Sequence, residues 1–152
     1  MTDWLDHILE SKNKKTEVSS SHELRDQFIE QAAEMFKQLK AVVSGLVEEV
    51  NQRSQGAERL RLEEQADANT FFLHKETPPV LRTLIALEAE SEAVFFYLDS
   101  LSNSGTGWDR RRNERIGLRL GMDGRIIIES KYGDSVDGAA REVIETMLKF
   151  DS

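Results

Sequence analysis

The chain has 152 residues, 39% of them hydrophobic and 32% charged, with 28 acidic against 20 basic side chains, a net charge of −8 and no cysteine. That length suits one domain, and the missing cysteine excludes a disulfide scaffold, a cysteine zinc site and a thiol nucleophile. The acidity speaks against a duplex-DNA binder, whose affinity comes from neutralised phosphates, and no apolar run reaches the roughly 20 residues that span a bilayer.

The first ten residues place Trp4, Leu5, Ile8 and Leu9 on one face of a short amphipathic helix. No basic segment followed by an apolar one precedes it, so the start is not expected to be a secretory leader, and a cytoplasmic protein is expected. Residues 11–19 are polar and without period and are read as a flexible linker, with a single domain over 20–152. Ser20 and Glu23 fit a capping box that opens a helix of more than thirty residues. Along it Ile29, Ala32, Phe36, Leu39, Val43, Leu46 and Val50 recur in alternating steps of three and four, a heptad seam. A helix of about 34 residues spans roughly 50 Å, long for a domain with a radius of gyration of about 15 Å. It either breaks at Gly45 or meets a second chain. Gly56 is placed as its left-handed end.

Beyond Gly56 the period changes to two. Leu60 and Leu62 alternate with charged residues, and the run Thr70–His74 follows before Pro78-Pro79. Leu81–Ala89 and Glu92–Asp99 read as a hairpin turning at Glu90-Ser91, with Leu87 opposite Val94, Ile85 opposite Phe96 and, on the other face, Ala86 opposite Phe95 and Leu84 opposite Tyr97. Leucine, alanine and glutamate also leave a helix open over Leu81–Glu92. Leu101–Gly107 has loop composition. The hairpin around Met122-Asp123-Gly124 takes a three-residue loop with Gly124 left-handed. That register pairs Leu120 with Ile126 and Leu118 with Ile128, apolar on apolar. From Asp134 or Ser135, Val136, Ala139, Ala140, Val143, Ile144, Met147 and Leu148 trace an amphipathic helix.

The expected fold is α+β: a long N-terminal helix, an antiparallel meander of five or six strands, and a C-terminal helix packed on the sheet. A homodimer is expected, its interface drawn from Ile29, Phe36, Leu39, Val43 and Leu46 on the helix and from Phe95 and Tyr97 on the second apolar face of the sheet.

Three function classes follow. The first is a non-catalytic protein-interaction module, a small acidic adaptor that engages another protein through Trp4, Leu5, Ile8 and Leu9. Its small, acidic, dimeric profile resembles secretion chaperones in general character, but the order of elements differs from theirs and nothing is carried over. The second is an anion, small-ligand or single-stranded nucleic-acid binder. Between Leu101 and Tyr132 seven basic residues meet four acidic ones, and Trp108 stands beside Arg110, Arg111, Arg112 and Arg115. Guanidinium forks suit phosphate, and an indole stacks on a base. The third is an enzyme with a cleft between sheet and helices. No catalytic residue, metal ligand or cofactor is assigned: the three histidines lack metal-site spacing, Glu88, Glu90 and Glu92 are split by a turn, and Ser104–Gly107 has no phosphate-loop pattern. No membrane partner is expected, because Asp3, Asp6 and Glu10 repel anionic lipid.

Overall fold

A computed structural model describes the backbone of residues 3–90, 93–103 and 108–149 and the side chains of residues 25–90, 93–103 and 112–149. Helix α1 (Asp3–Arg53) leads into six strands, β1 (Leu60–Glu64), β2 (Thr70–Lys75), β3 (Val80–Glu90), β4 (Ala93–Asn103), β5 (Trp108–Leu120) and β6 (Ile126–Ile128), and the chain closes with helix α2 (Val136–Leu148). The strands form one antiparallel sheet in chain order, a meander, so the α+β expectation holds.

α1 is one helix of 51 residues, about 77 Å along its axis. It runs through the stretch read as a linker at residues 11–19. That stretch is polar, but neither glycine nor proline occurs before Gly45, and the penalties of Ser, Thr and Asn are each below about 0.7 kcal/mol. Nor does α1 break at Gly45, which is exposed and costs about 1 kcal/mol at most. It ends as expected, with Gln55 at φ 52° and Gly56 at φ 90°. Just before that end Asn51 reaches across to the sheet. Its Oδ1 accepts the Leu60 N–H at 2.8 Å and its Nδ2 donates to the Leu60 carbonyl at 2.9 Å, so the side chain gives the edge strand β1 a hydrogen-bonding partner there.

The heptad seam faces the chain's own sheet. Ala32, Phe36, Leu39 and Val43 are fully buried, and Phe28, Ile29, Met35, Val42, Leu46 and Val50 pack around them. Phe36 is the hub, its ring 5.4 Å from Phe71 and 5.8 Å from Phe96. From α2, Ala139, Ala140, Val143, Ile144 and Met147 complete the same core. Both helices therefore cover one face of the sheet, with Leu60, Phe71, Leu73, Leu81, Ile85, Phe96, Leu98, Ile116 and Ile128 beneath them. The buried hydroxyls on that face are spent internally. Thr83 donates to Met147 Sδ at 2.8 Å, which leaves Ser100 as donor to Thr83 at 2.8 Å. Lys75, 2% exposed, donates to the carbonyls of Pro78 and Pro79 at 3.1 and 3.4 Å and lies 3.5 Å from Glu58.

The last hairpin takes the expected register, with Leu118 opposite Ile128 and Leu120 opposite Ile126. The hairpin of β3 and β4 does not. Leu87 pairs with Phe96 rather than Val94, Ile85 with Leu98 rather than Phe96, Ala86 with Tyr97 and Leu84 with Asp99. The shift is two residues. Because side chains alternate with period two, it leaves every residue on its expected face, so the hydrophobic pattern cannot distinguish the two registers. The strands also reach further than expected, pairing Val80 with Asn103.

Candidate interaction surface

The hairpin of β5 and β6 ends in a tight tip. The Gly121 N–H donates to the Arg125 carbonyl at 2.7 Å, and the Gly124 N–H donates to the Gly121 carbonyl at 3.0 Å. Gly124 sits at φ 81°, which an L side chain rarely adopts, so the three-residue loop needs glycine there. Asp123 Oδ1 accepts the Arg125 N–H at 3.2 Å and stiffens the turn. This geometry holds Met122 fully in solvent and leaves Leu120 45% exposed. Among the described residues the only other large apolar side chain so exposed is Leu148, at 37%.

Beside this tip lies an open groove of about 820 Å³, bounded by the hairpin, by α1 and by the start of α2. Half-buried Met35, Ile126 and Ile127 contribute its apolar surface. Glu30 and Glu34 from α1, Asp123 from the tip and Asp134 ahead of α2 are all exposed on its walls, against the single basic residue Arg125. The first turn of α2 is fixed close by. Ser135 is its N-cap, the Oγ accepting the Gly138 N–H at 3.1 Å. Gly138 then passes so near the preceding turn that a Cβ there would stand 2.7 Å from the Tyr132 carbonyl oxygen. A smaller hollow of about 420 Å³ lies among Leu46, Val50 and Leu148, at the other end of the helix pair.

The outer face of the sheet, away from both helices, holds Phe72, Leu84, Phe95 and Tyr97. Arginines cover its rings. The Arg115 guanidinium stands 4.4 Å from the centre of Phe95 and that of Arg82 stands 5.6 Å from the centre of Phe72. Phe95 is consequently only 4% exposed, while Leu84 and Tyr97 are half-buried. Arg115 also pairs with Glu90 at 3.5 Å. His74 and Glu63 meet at 2.7 Å on this face, and the hydrogen bond from His74 draws the exposed Glu63 carboxyl below its ordinary pKa. The apolar second face read from the sequence is therefore largely screened by the chain's own cations.

Phe36, Leu39 and Val43 lie in the core and offer nothing to a second chain as folded, while Ile29 and Leu46 are half-buried at its margin. The arginine cluster belongs to β5: Arg110 pairs with Ser102, Arg111 with Leu101, Arg112 with Ser100 and Arg115 with Tyr97. Strand alternation sends Arg112 and Arg115 to opposite faces. The side chains of Trp4, Leu5, Ile8, Leu9, Trp108, Arg110 and Arg111 lie outside the described residues. Glu88 and Glu90 are exposed, and among the described residues no three His, Asp or Glu side chains come together as a metal site. No helix of the described residues is long and apolar enough to cross a membrane.

A titratable pair joins α2 to the sheet, and no spacing in the sequence marks it. Glu142 on α2 is 4% exposed and meets Glu114 of β5, which also accepts a hydrogen bond from Thr146 at 3.1 Å and lies 3.4 Å from Lys131. The Glu142 Oε1 accepts the Lys131 N–H at 2.7 Å. Burial, and then the hydrogen bond and charge of Glu114, push the Glu142 carboxyl up, against the pull of the Lys131 N–H. Burial pushes Glu114 up too, but the hydrogen bonds from Glu142 and Thr146 and the nearby Lys131 ammonium bring it down on balance. The two carboxyls, their pKa values pushed in opposite directions, meet as a clamp between α2 and the sheet. The groove itself left a weak trace in the sequence: a methionine at the tip of a Gly-Met-Asp-Gly turn, where polar residues are the rule.

No protein-family model matches this chain, no curated protein matches it, and no solved structure does.

Proposed function

We propose that the chain is a non-catalytic protein-interaction module, a small acidic adaptor that engages a partner protein through the tip of its last hairpin. The observation that carries this reading is the pairing of Met122, fully exposed, and Leu120, 45% exposed, with an open groove floored by Met35, Ile126 and Ile127. Methionine packs against varied shapes and is favoured on surfaces that accept other chains. An exposed apolar tip beside a groove with an apolar floor supports this reading, since adjoining apolar surface is where partners dock. Within this reading the module is cytoplasmic and dimeric, closed through the part of the sheet's outer face that the arginines leave open, half-buried Leu84 and Tyr97, since the helix seam is occupied by its own core.

The test is site-specific photo-crosslinking. A photoreactive side chain placed at Met122 should yield a discrete adduct with a partner protein under native conditions, and Leu120→Asp should abolish it. The same group at exposed Asp67, in a turn outside the groove, should not yield that adduct. Identical products from both positions, or none from Met122, refute the reading. Light scattering that returns the mass of a single chain refutes the dimer.

A further inference from the structure

The groove is specific about what it accepts, and this step rests on the reading of the hairpin tip as an interaction surface. Its walls hold four exposed carboxylates, one of them, Glu34, 3.5 Å from the Lys37 ammonium, against one guanidinium, in a chain whose net charge is already −8. They stand around an apolar floor, and a cleft lined predominantly by one sign of charge concentrates counter-charge within it. A flat or uniformly polar ligand would leave Met35 and Ile126 in water, and an acidic one would meet four carboxylates with only Arg125 to attract it. An extended strand added to the sheet edge is also a poor fit, because β6 has only three residues with which to hydrogen-bond it. We propose that the groove receives a basic amphipathic helix of a partner protein. Its apolar side chains rest on Met35 and Ile126, and its lysines or arginines face Glu30 and Glu34 on one wall and Asp123 and Asp134 on the other. Side chains spaced i, i+3, i+4 and i+7 meet such a floor along one stripe, with the flanking positions directed at the walls.

The probe is a fluorescein-labelled synthetic helix of about eighteen residues, five turns, with leucine along one stripe and lysine elsewhere. Its counterpart replaces every lysine by glutamate. Fluorescence anisotropy with the full chain should show the lysine peptide binding and the glutamate peptide not. Glu30→Lys with Glu34→Lys should weaken the lysine peptide at least about tenfold at low salt, and the difference should shrink as salt screens the wall. Glu48→Lys with Glu88→Lys makes the same change in net charge at exposed sites away from the groove and should leave affinity within about twofold. Met35→Gln should weaken binding at high salt as well, because it acts on the floor. If the double lysine variant does not fold, Glu30→Gln with Glu34→Gln serves, with a smaller loss.

Three results overturn the proposal. Equal loss in the control variant means attraction to bulk charge alone. Equal binding of both peptides means the walls do not select. A drop in light-scattering mass on reversing Glu30 and Glu34 means the occupant is a second copy of this chain. A Met122 adduct that survives groove reversal, together with any of these, leaves the interaction module standing and removes only the basic helix.

Discussion

Replacing Phe36 by alanine tests which way the long seam of α1 faces. Phe36 is fully buried, and its ring lies within 6 Å of the ring centres of both Phe71 and Phe96, so its removal empties a space that three elements share. Deleting a buried phenylalanine costs about 3–5 kcal/mol, and the loss of two ring pairs puts this site near 4. Against a total stability of roughly 5–15 kcal/mol that is a severe lesion. At about 2–4 °C per kcal/mol for a domain of this size, Tm should fall by about 8–16 °C. Urea unfolding followed by far-UV circular dichroism, at two protein concentrations tenfold apart, measures the loss of free energy. If the seam belongs to the core of one chain, the shift between wild type and Phe36→Ala is the same at both concentrations and the molar mass does not change. If the seam joined two chains, the lesion would appear as dissociation and would lessen as concentration rises. A loss below about 1 kcal/mol, or a dissociated variant that keeps its fold, would refute the placement of Phe36.

Two glycine-to-alanine changes should act with opposite signs in thermal melts. A Cβ at Gly45 meets nothing within 4 Å, so Gly45→Ala should stabilise by about 0.5–1 kcal/mol, and a loss there would mean α1 is not helical through that residue. At Gly138 the Cβ would meet the Tyr132 carbonyl oxygen at 2.7 Å and Ser130 Oγ at 2.9 Å, so Gly138→Ala should destabilise by about 1–3 kcal/mol, and a gain would refute the close approach. Glu142→Gln keeps the shape of the buried side chain and removes its titration. Because the folded pKa of Glu142 is raised, its contribution is complete below the ordinary carboxylate range and is lost as pH rises through the raised value. Wild type should therefore lose stability relative to Glu142→Gln between acid and neutral pH, measured by urea midpoints. Parallel pH profiles would refute the raised Glu142 carboxyl. Glu114 runs the other way, its lowered pKa costing both proteins stability as pH falls through it.

What the sequence could disclose followed from how alternatives differ. The register of the last hairpin was legible because its rival put Leu118 opposite Glu129, apolar against charge, a difference of one residue that changes faces. The register of β3 and β4 was not, because its rival differs by two and keeps every face. The continuity of α1 was hidden by treating polarity as a loop signal, when only glycine or proline would have broken the backbone. Arginine-rich β5 hid for a related reason. Its stretch 108–116 has β4 on one side and, among the described pairings, no strand on the other. A strand with one free edge tolerates charged side chains on both faces, and those charges also discourage edge-to-edge pairing. Its apolar alternation begins only at Ile116, where the helices cover it.

The groove was illegible for a further reason. Its walls come from Glu30, Asp123 and Asp134, so distant in the chain that no local period links them. The meander brings them together by ending at β6, the edge strand beside which α1 passes at Glu30 and Glu34. The turn that sends the chain from β6 into α2 then delivers Asp134 to the same place. Burial dictates that Met35 and Ile126 approach one another, because both border the core that Phe36 anchors. Burial does not dictate four carboxylates with one guanidinium around them, or a methionine held out at the tip. Interior packing would be equally served by lysine at 30 and 34 and by asparagine at 122. The charges and the exposed methionine are therefore features that the fold permits without requiring, which is where a binding specificity can be written without disturbing the core.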